Sequence, residues 1–144
     1  IDSLRKLGPR KKFYVHFFDN GSRPWVNDTN SSKYALKWEV DEAETWIKGL
    51  RPGGGTNPTA ALKDVFTRIA PDTIWLLTDG MFNRNTNVRN LILKLNSGQS
   101  VTVNTVGFHR KPGNVDPVLG NIAQDNNGTF YFSRSYPGGK PPNQ

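Results

Sequence analysis

Two short stretches hold side chains of the kind that do chemistry. Gly53-Gly54-Gly55-Thr56-Asn57-Pro58 is a glycine-rich loop that leads into a helical pattern. Thr78-Asp79-Gly80 closes an unbroken apolar or β-branched run, Thr73 to Leu77. A Gly-rich loop ahead of a helix suggests a phosphate held by free backbone N–H groups. A P-loop, however, needs Lys directly before its Ser or Thr, and Gly55 stands there. A dinucleotide fingerprint joins a strand to a helix, whereas this loop joins two helical patterns. What remains is a hydroxyl, Thr56, and a carboxylate, Asp79. That pair suits a hard divalent cation, which prefers oxygen ligands.

Each residue also has a plainer reading. Thr56 could simply start a helix, and Asp79 could end a strand in a turn. His16 lies within an apolar strand and reads as a packed core histidine; His109 leaves a strand alone. Neither His stands near a Ser-containing nucleophile motif and the chain has no Cys, so a catalytic triad has no support.

The elements that must position Thr56 and Asp79 follow from hydrophobic spacing. The run Thr73–Leu77 has no alternation and reads as a parallel strand buried on both faces. In open α/β sheets ligands bind at the carboxyl ends of strands, which is where Asp79 falls. Upstream, residues 1–7 read as a helix tail stopped by Gly8-Pro9, and Lys12–Phe18 as one aromatic-rich strand. Asn20-Gly21 predicts a tight hairpin, with Arg23–Val26 a short returning edge strand because Pro24 cannot donate to a ladder. Asn27–Ser32 reads as a polar loop.

Val40, Ala43, Trp46, Ile47 and Leu50 mark a helix with Asp41 and Glu44 in its first turn. Asn57 as N-cap and Pro58 begin another, whose buried stripe is Ala61, Leu62, Val65, Phe66 and Ile69. Beyond Asp79 come a helix through Val88, Leu91, Ile92 and Leu95, and a strand over Val101–Val106. A last helix runs from Val115 to Ala123 with Asn127-Gly128 at its end, followed by a final strand over Thr129–Ser133. Strands alternating with helices imply a doubly wound, mostly parallel α/β sheet. Residues 1–135 make one domain, and 136–144 a Pro/Gly-rich tail or linker.

Composition bounds the partners. Without Cys there is no disulfide framework and no thiolate metal site. No apolar run is long enough to span a membrane. The net charge of +7 invites a nucleic-acid reading, and Arg5, Lys6, Arg10, Lys11 and Lys12 lie close together. No aromatic-basic interleaving or nucleic-acid motif accompanies them, so only weak electrostatic association is expected and no specific nucleic acid.

With these motifs in this order, the sequence resembles the von Willebrand factor A domain family. The resemblance runs from Lys12-Phe13-Tyr14-Val15-His16-Phe17-Phe18-Asp19 through Gly54-Gly55-Thr56-Asn57-Pro58-Thr59-Ala60-Ala61-Leu62 to Leu76-Leu77-Thr78-Asp79-Gly80. It implies a doubly wound α/β fold and a metal-ion-dependent adhesion site holding Mg²⁺ or Mn²⁺. By resemblance Thr56 is the hydroxyl ligand, and Asp79 the acidic residue that often acts through a bound water. The implied function is a non-enzymatic protein-binding module that shares its cation with an acidic residue of a partner protein. The family's first motif, Asp-x-Ser-x-Ser at the end of its first strand, is absent, and Asp2-Ser3-Leu4 lacks its spacing. The expectation is therefore a chain that begins within the first helix, lacks the first strand, and binds the cation weakly or not at all. The alternative is a metal-dependent hydrolase or phosphoryl-transfer enzyme on the same fold. It would need a second carboxylate or a nucleophile beside Asp79, and Asp19 is the candidate.

Overall fold

In the computed structural model, which describes residues 2–25, 31–79, 81–82, 87–108 and 117–133, the aromatic segment after Gly8 forms two strands rather than one. β1 (Lys12–Phe13) and β2 (His16–Phe18) are separated at Tyr14-Val15. β1 pairs antiparallel with β4 (Lys33–Tyr34), while β2 pairs antiparallel with β3 (Ser22–Pro24). The break has a packing cause. Phe13 turns inward to stack on Trp25, ring centroids 5.2 Å apart, and the Val15 carbonyl accepts from the Trp25 N–H at 2.9 Å. Phe18 lies opposite Ser22, so Asp19-Asn20-Gly21 is the hairpin loop that Asn-Gly announces. Val26 and the polar loop up to Asn30 lie outside the described residues.

The chain falls into two compact units, residues 1–70 and 71–144. In the first, a single helical turn, α1 (Asp2–Arg5), accompanies α2 (Lys37–Gly49). α2 starts earlier than its apolar spacing suggests, so Asp41 and Glu44 sit past its first turn. Both instead form ion pairs, with Arg5 and with Lys37 or Lys48. Phe13, Trp25, Val40 and Ala43 make the buried cluster here, with Leu4, Tyr14, Val15, Ala35 and Trp46 packed on it. α3 (Thr59–Asp64) continues into a π-helical turn, Val65–Ile69, ended by Ala70 at a left-handed φ of 47°. Ala61 and Leu62 are buried, whereas Val65, Phe66 and Ile69 are half-buried.

The second unit is the alternating part of the chain. β5 (Thr73–Thr78), β6 (Thr102–Phe108) and β7 (Phe130–Ser133) form a parallel three-stranded sheet in the order β5-β6-β7. The helices α4 (Val88–Leu95) and α5 (Val118–Asp125) connect them. α4 begins at Asn87, whose side chain accepts from the Asn90 N–H at 3.0 Å, an N-cap that satisfies one free donor of the first turn. Ile92, Leu119, Ile122 and Ala123 of the helices and Ile74, Leu76 and Val103 of the sheet are buried, and α5 packs on α4, β6 and β7. The end of α5 is closed as its Asn-Gly pair suggests. Asn127 takes a positive φ of 55°, and the Gly128 N–H donates back to Ala123 at 2.9 Å.

The expectation that β5 is buried on both faces does not hold. Ile74, Leu76 and Thr78 are buried, but Trp75 and Leu77 are 54% and 50% exposed. Alternation is intrinsic to a strand, and α5 covers the side to which Leu76 and its neighbour Thr105 belong, where the Thr105 hydroxyl donates to the Leu119 carbonyl. Trp75 on the other side meets the ring of Tyr131, centroids 5.5 Å apart. His109, Val115 and the tail from Arg134 onward lie outside the described residues.

Candidate functional site

Thr56 belongs to the first unit and Asp79 to the second. Asp79 follows the last residue of β5, at the carboxyl end of the parallel sheet. It is half-buried, and its Oδ1 accepts from the Met81 N–H at 3.1 Å, a turn of the chain back on itself. Thr78 beside it is buried at 7% exposure. The apolar run thus delivers a carboxylate to the edge where α/β sheets bind ligands. Gly80 lies outside the described residues.

Thr56 is half-buried in the loop between α2 and α3. That loop is held in place by the β2–β3 hairpin. Asp19 closes β2 with 9% exposure; its Oδ1 accepts from the Gly21 N–H at 2.7 Å and its Oδ2 from the Gly53 N–H at 2.8 Å. The Asp19 carbonyl accepts from the Asn57 N–H at 2.7 Å. Arg23 pairs with the Asp19 carboxylate and donates to the Arg51 carbonyl at 3.0 Å. Between these points Gly55 has a left-handed φ of 83°, and a Cβ there would overlap the Asn20 side chain. Only glycine fits a position that needs both that φ and that approach. The N–H groups of Gly21 and Gly53, then Arg23, hold the Asp19 carboxyl below its usual range, against the opposing effect of burial.

Asp19 was also the second carboxylate that an enzyme reading would call on. Its two oxygens are both engaged within the first unit. As donors, Thr56 and Asp79 fit a hard cation in kind, oxygen in both cases. Among the described residues no three His, Asp or Glu side chains gather as a metal site.

A cluster that sequence reading missed surrounds His16. Its Nε2 lies 2.8 Å from the Ser22 hydroxyl, and its Nδ1 lies 3.2 Å from Asp64 Oδ2. The order Ser–His–Asp resembles a nucleophile with its base, but the geometry differs. Nδ1 is buried without an aligned hydrogen bond among the described residues. Asp64 gives both oxygens to Arg68, at 2.7 Å each, and Arg68 also donates to the Tyr14 hydroxyl at 2.9 Å. The cluster ties the hairpin to α3. Burial holds His16 below its ordinary range; the nearby Asp64 pulls the other way, but its charge is already met by Arg68, which adds to the lowering. No sequence spacing links residues 16, 22 and 64, so no motif could have announced them.

The basic N-terminal group is partly consumed inside the fold. Arg5 pairs with Asp41 at 3.0 Å and with Glu44, and Lys12 lies over the Tyr34 ring, 4.9 Å from its centroid. Among the described residues no helix is long and apolar enough to cross a membrane.

Taken together, an α/β domain with a parallel sheet, a glycine-rich loop carrying Thr56 and a strand end carrying Asp79 define the class. The model of the von Willebrand factor type A domain matches residues 3–132, and the chain belongs to that family. It is 26% identical over 133 residues to the human von Willebrand factor A domain-containing protein 3B, covering 88% of this chain and 9% of that protein. Among solved structures, it is similar to a von Willebrand factor type A protein from Catenulispora acidiphila. That match has a TM-score of 0.71 at 22% identity and covers 92% of this chain and 32% of the other. It is also similar to proximal thread matrix protein 1 from the mussel byssus, with a TM-score of 0.59 at 21% identity, covering 85% of this chain and 30% of the other. The chain thus spans about a tenth of the curated relative and about a third of each structure. Domains of this family generally serve as protein-interaction modules.

Proposed function

We propose that this domain is a non-enzymatic protein-binding module that uses a divalent cation, Mg²⁺ or Mn²⁺, to take an acidic side chain of a partner protein. Thr56 and Asp79 are the residues of this chain that would hold the ion, Thr56 through its hydroxyl and Asp79 through the ion's water shell. The ion would supply positive charge and a coordination position open to a carboxylate; Mg²⁺ suits this because it readily keeps several waters. Family membership supports the reading, and the observation that carries it is the anchoring of the Thr56 loop. The Asp19 carboxylate holds Gly53, the Asp19 carbonyl holds Asn57 and Arg23 holds Arg51, so the loop that carries Thr56 is fixed before any ligand arrives.

The test uses Mn²⁺ as the probe, read by the loss of the free-ion paramagnetic resonance signal. The Asp-x-Ser-x-Ser motif does not occur in these 144 residues, so binding by the chain is weak. Thr56→Ser keeps binding and Thr56→Val, nearly the same shape without the oxygen, abolishes it. Equal binding by the two variants would overturn the assignment. Cation-dependent turnover of phosphate esters would make the domain an enzyme instead.

A further inference from the structure

The geometry points to Asp19 as the positioning residue of the Thr56 loop: a side chain that touches no ligand, yet sets in advance where the Thr56 hydroxyl stands. Half of this rests on the binding function proposed above. The holding of the loop does not.

Asp19 contacts the loop twice, through different groups. Its Oδ2 accepts from the Gly53 N–H at 2.8 Å and its backbone carbonyl from the Asn57 N–H at 2.7 Å. Thr56 therefore lies on a short span whose two ends are tied to a single residue. A further clamp acts just before the span, where Arg23 bridges the Asp19 carboxylate and the Arg51 carbonyl. Asp19 is itself fixed by the hairpin: Oδ1 takes the Gly21 N–H at 2.7 Å, and the Asp19 N–H donates to the Gly21 carbonyl at 3.1 Å. The chain of support thus runs from the β2–β3 ladder through one carboxylate to the loop.

A glycine-rich span left free samples many conformations and must lose them when a ligand binds. Tying its ends beforehand removes that cost, and binding then gains what ordering would have taken. The carboxylate is suited to this work because, ionised, it only accepts, and it can serve Gly21, Gly53 and Arg23 together. An amide of the same shape presents one oxygen and an NH₂ that faces donors.

Asp19→Asn in the full chain tests the assignment, with amide hydrogen exchange resolved by residue. Loss of a backbone bond to a charged acceptor predicts exchange about tenfold or more faster at Gly53, with a smaller rise at Asn57, whose bond to the Asp19 backbone carbonyl remains. Val40 in α2 and the β5–β6 ladder keep their wild-type protection. Arg23→Met, which removes one donor and leaves the carboxylate, gives a smaller rise confined to the loop, and it decides the matter if Asp19→Asn does not fold. In the unmodified chain the Gly53 amide shift should titrate with a midpoint below 3.8, the ordinary value of the carboxyl it faces. Mn²⁺ affinity should fall in Asp19→Asn with Thr56 intact. Unchanged exchange at Gly53, or a rise spread evenly over the first unit, overturns the positioning role. If the unmodified protein binds no Mn²⁺ while the exchange pattern appears as described, the binding function fails and the positioning of the loop stands.

Discussion

Asn96→Asp is a substitution of one atom that should cost the second unit much of its stability. Asn96 is 4% exposed at the end of α4, and Asn126 is 1% exposed at the end of α5. The Asn96 Nδ2 donates to the Val101 carbonyl at 2.7 Å and to Asn126 Oδ1 at 2.8 Å, while its Oδ1 accepts from the Val101 N–H at 3.1 Å. Asn126 Nδ2 in turn donates to the Ile122 carbonyl at 2.8 Å. The two amides lock both helix ends to the start of β6. Aspartate keeps the shape, so no cavity opens, but it turns the donor into an oxygen facing two acceptors. Two buried acceptors are orphaned at roughly 1–3 kcal/mol each, and a charge is buried besides. The loss should be at least about 3 kcal/mol, a large share of a domain's usual 5–15 kcal/mol, roughly. The sign with pH is specific. Burial raises the new carboxyl above its unfolded value of roughly 3.9, so the deficit is full above the folded pKa and shrinks as pH falls below it. Urea denaturation of both proteins at pH 8 and at pH 5 measures it. A variant within about 1 kcal/mol of the parent at pH 8, or a deficit indifferent to pH, would refute the network.

Other outcomes follow from single contacts. Burial lowers His16 below 6.5, so the folded state resists its protonation. Stability should be complete above 6.5 and fall as pH drops below it, and His16→Gln should remove that first loss in a pH series of melts. Asp19, Asp64 and Asp125 are held below 3.8 by the hydrogen bonds and cations around them. Their contribution is present above 3.8 and is lost at lower pH, as a second and steeper fall. A Cβ at Gly128 would overlap the Val103 carbonyl, so Gly128→Ala should cost about 1–3 kcal/mol in chemical denaturation. Association with DNA or RNA should be weak, without sequence preference, and abolished at high salt in a binding titration, because it rests on generic charge. Affinity that survives salt or distinguishes sequences would speak against a protein partner.

What the sequence made legible was periodicity. α4 and α5 show the helical spacing, β5 is an unbroken apolar or β-branched run between polar flanks, and the end of that run places Asp79 at the sheet's carboxyl edge. Pairs of two residues have no period, so β4 at Lys33–Tyr34 went unread, and the division of Lys12–Phe18 depended on Phe13 meeting Trp25, twelve positions away. The unbroken run at β5 records that Trp75 and Leu77 are apolar; it does not record which side α5 covers. Asp19 is the instructive case. A carboxylate next to Asn-Gly reads as a turn residue, and its partners at Gly53 and Asn57 come from a loop distant in sequence. Asn96 and Asn126 likewise read as helix ends, with nothing to show that their amides meet each other.

Selection of peptides on the chain tests the central claim most directly. A displayed random library is bound in Mg²⁺ and released with EDTA. The account predicts that peptides recovered by EDTA are enriched in Asp or Glu at one fixed position, that changing that residue to its amide removes binding, and that Thr56→Val and Asp79→Asn recover none. Peptides that bind equally with and without Mg²⁺, or that bind the Thr56→Val domain as well as the parent, would contradict it.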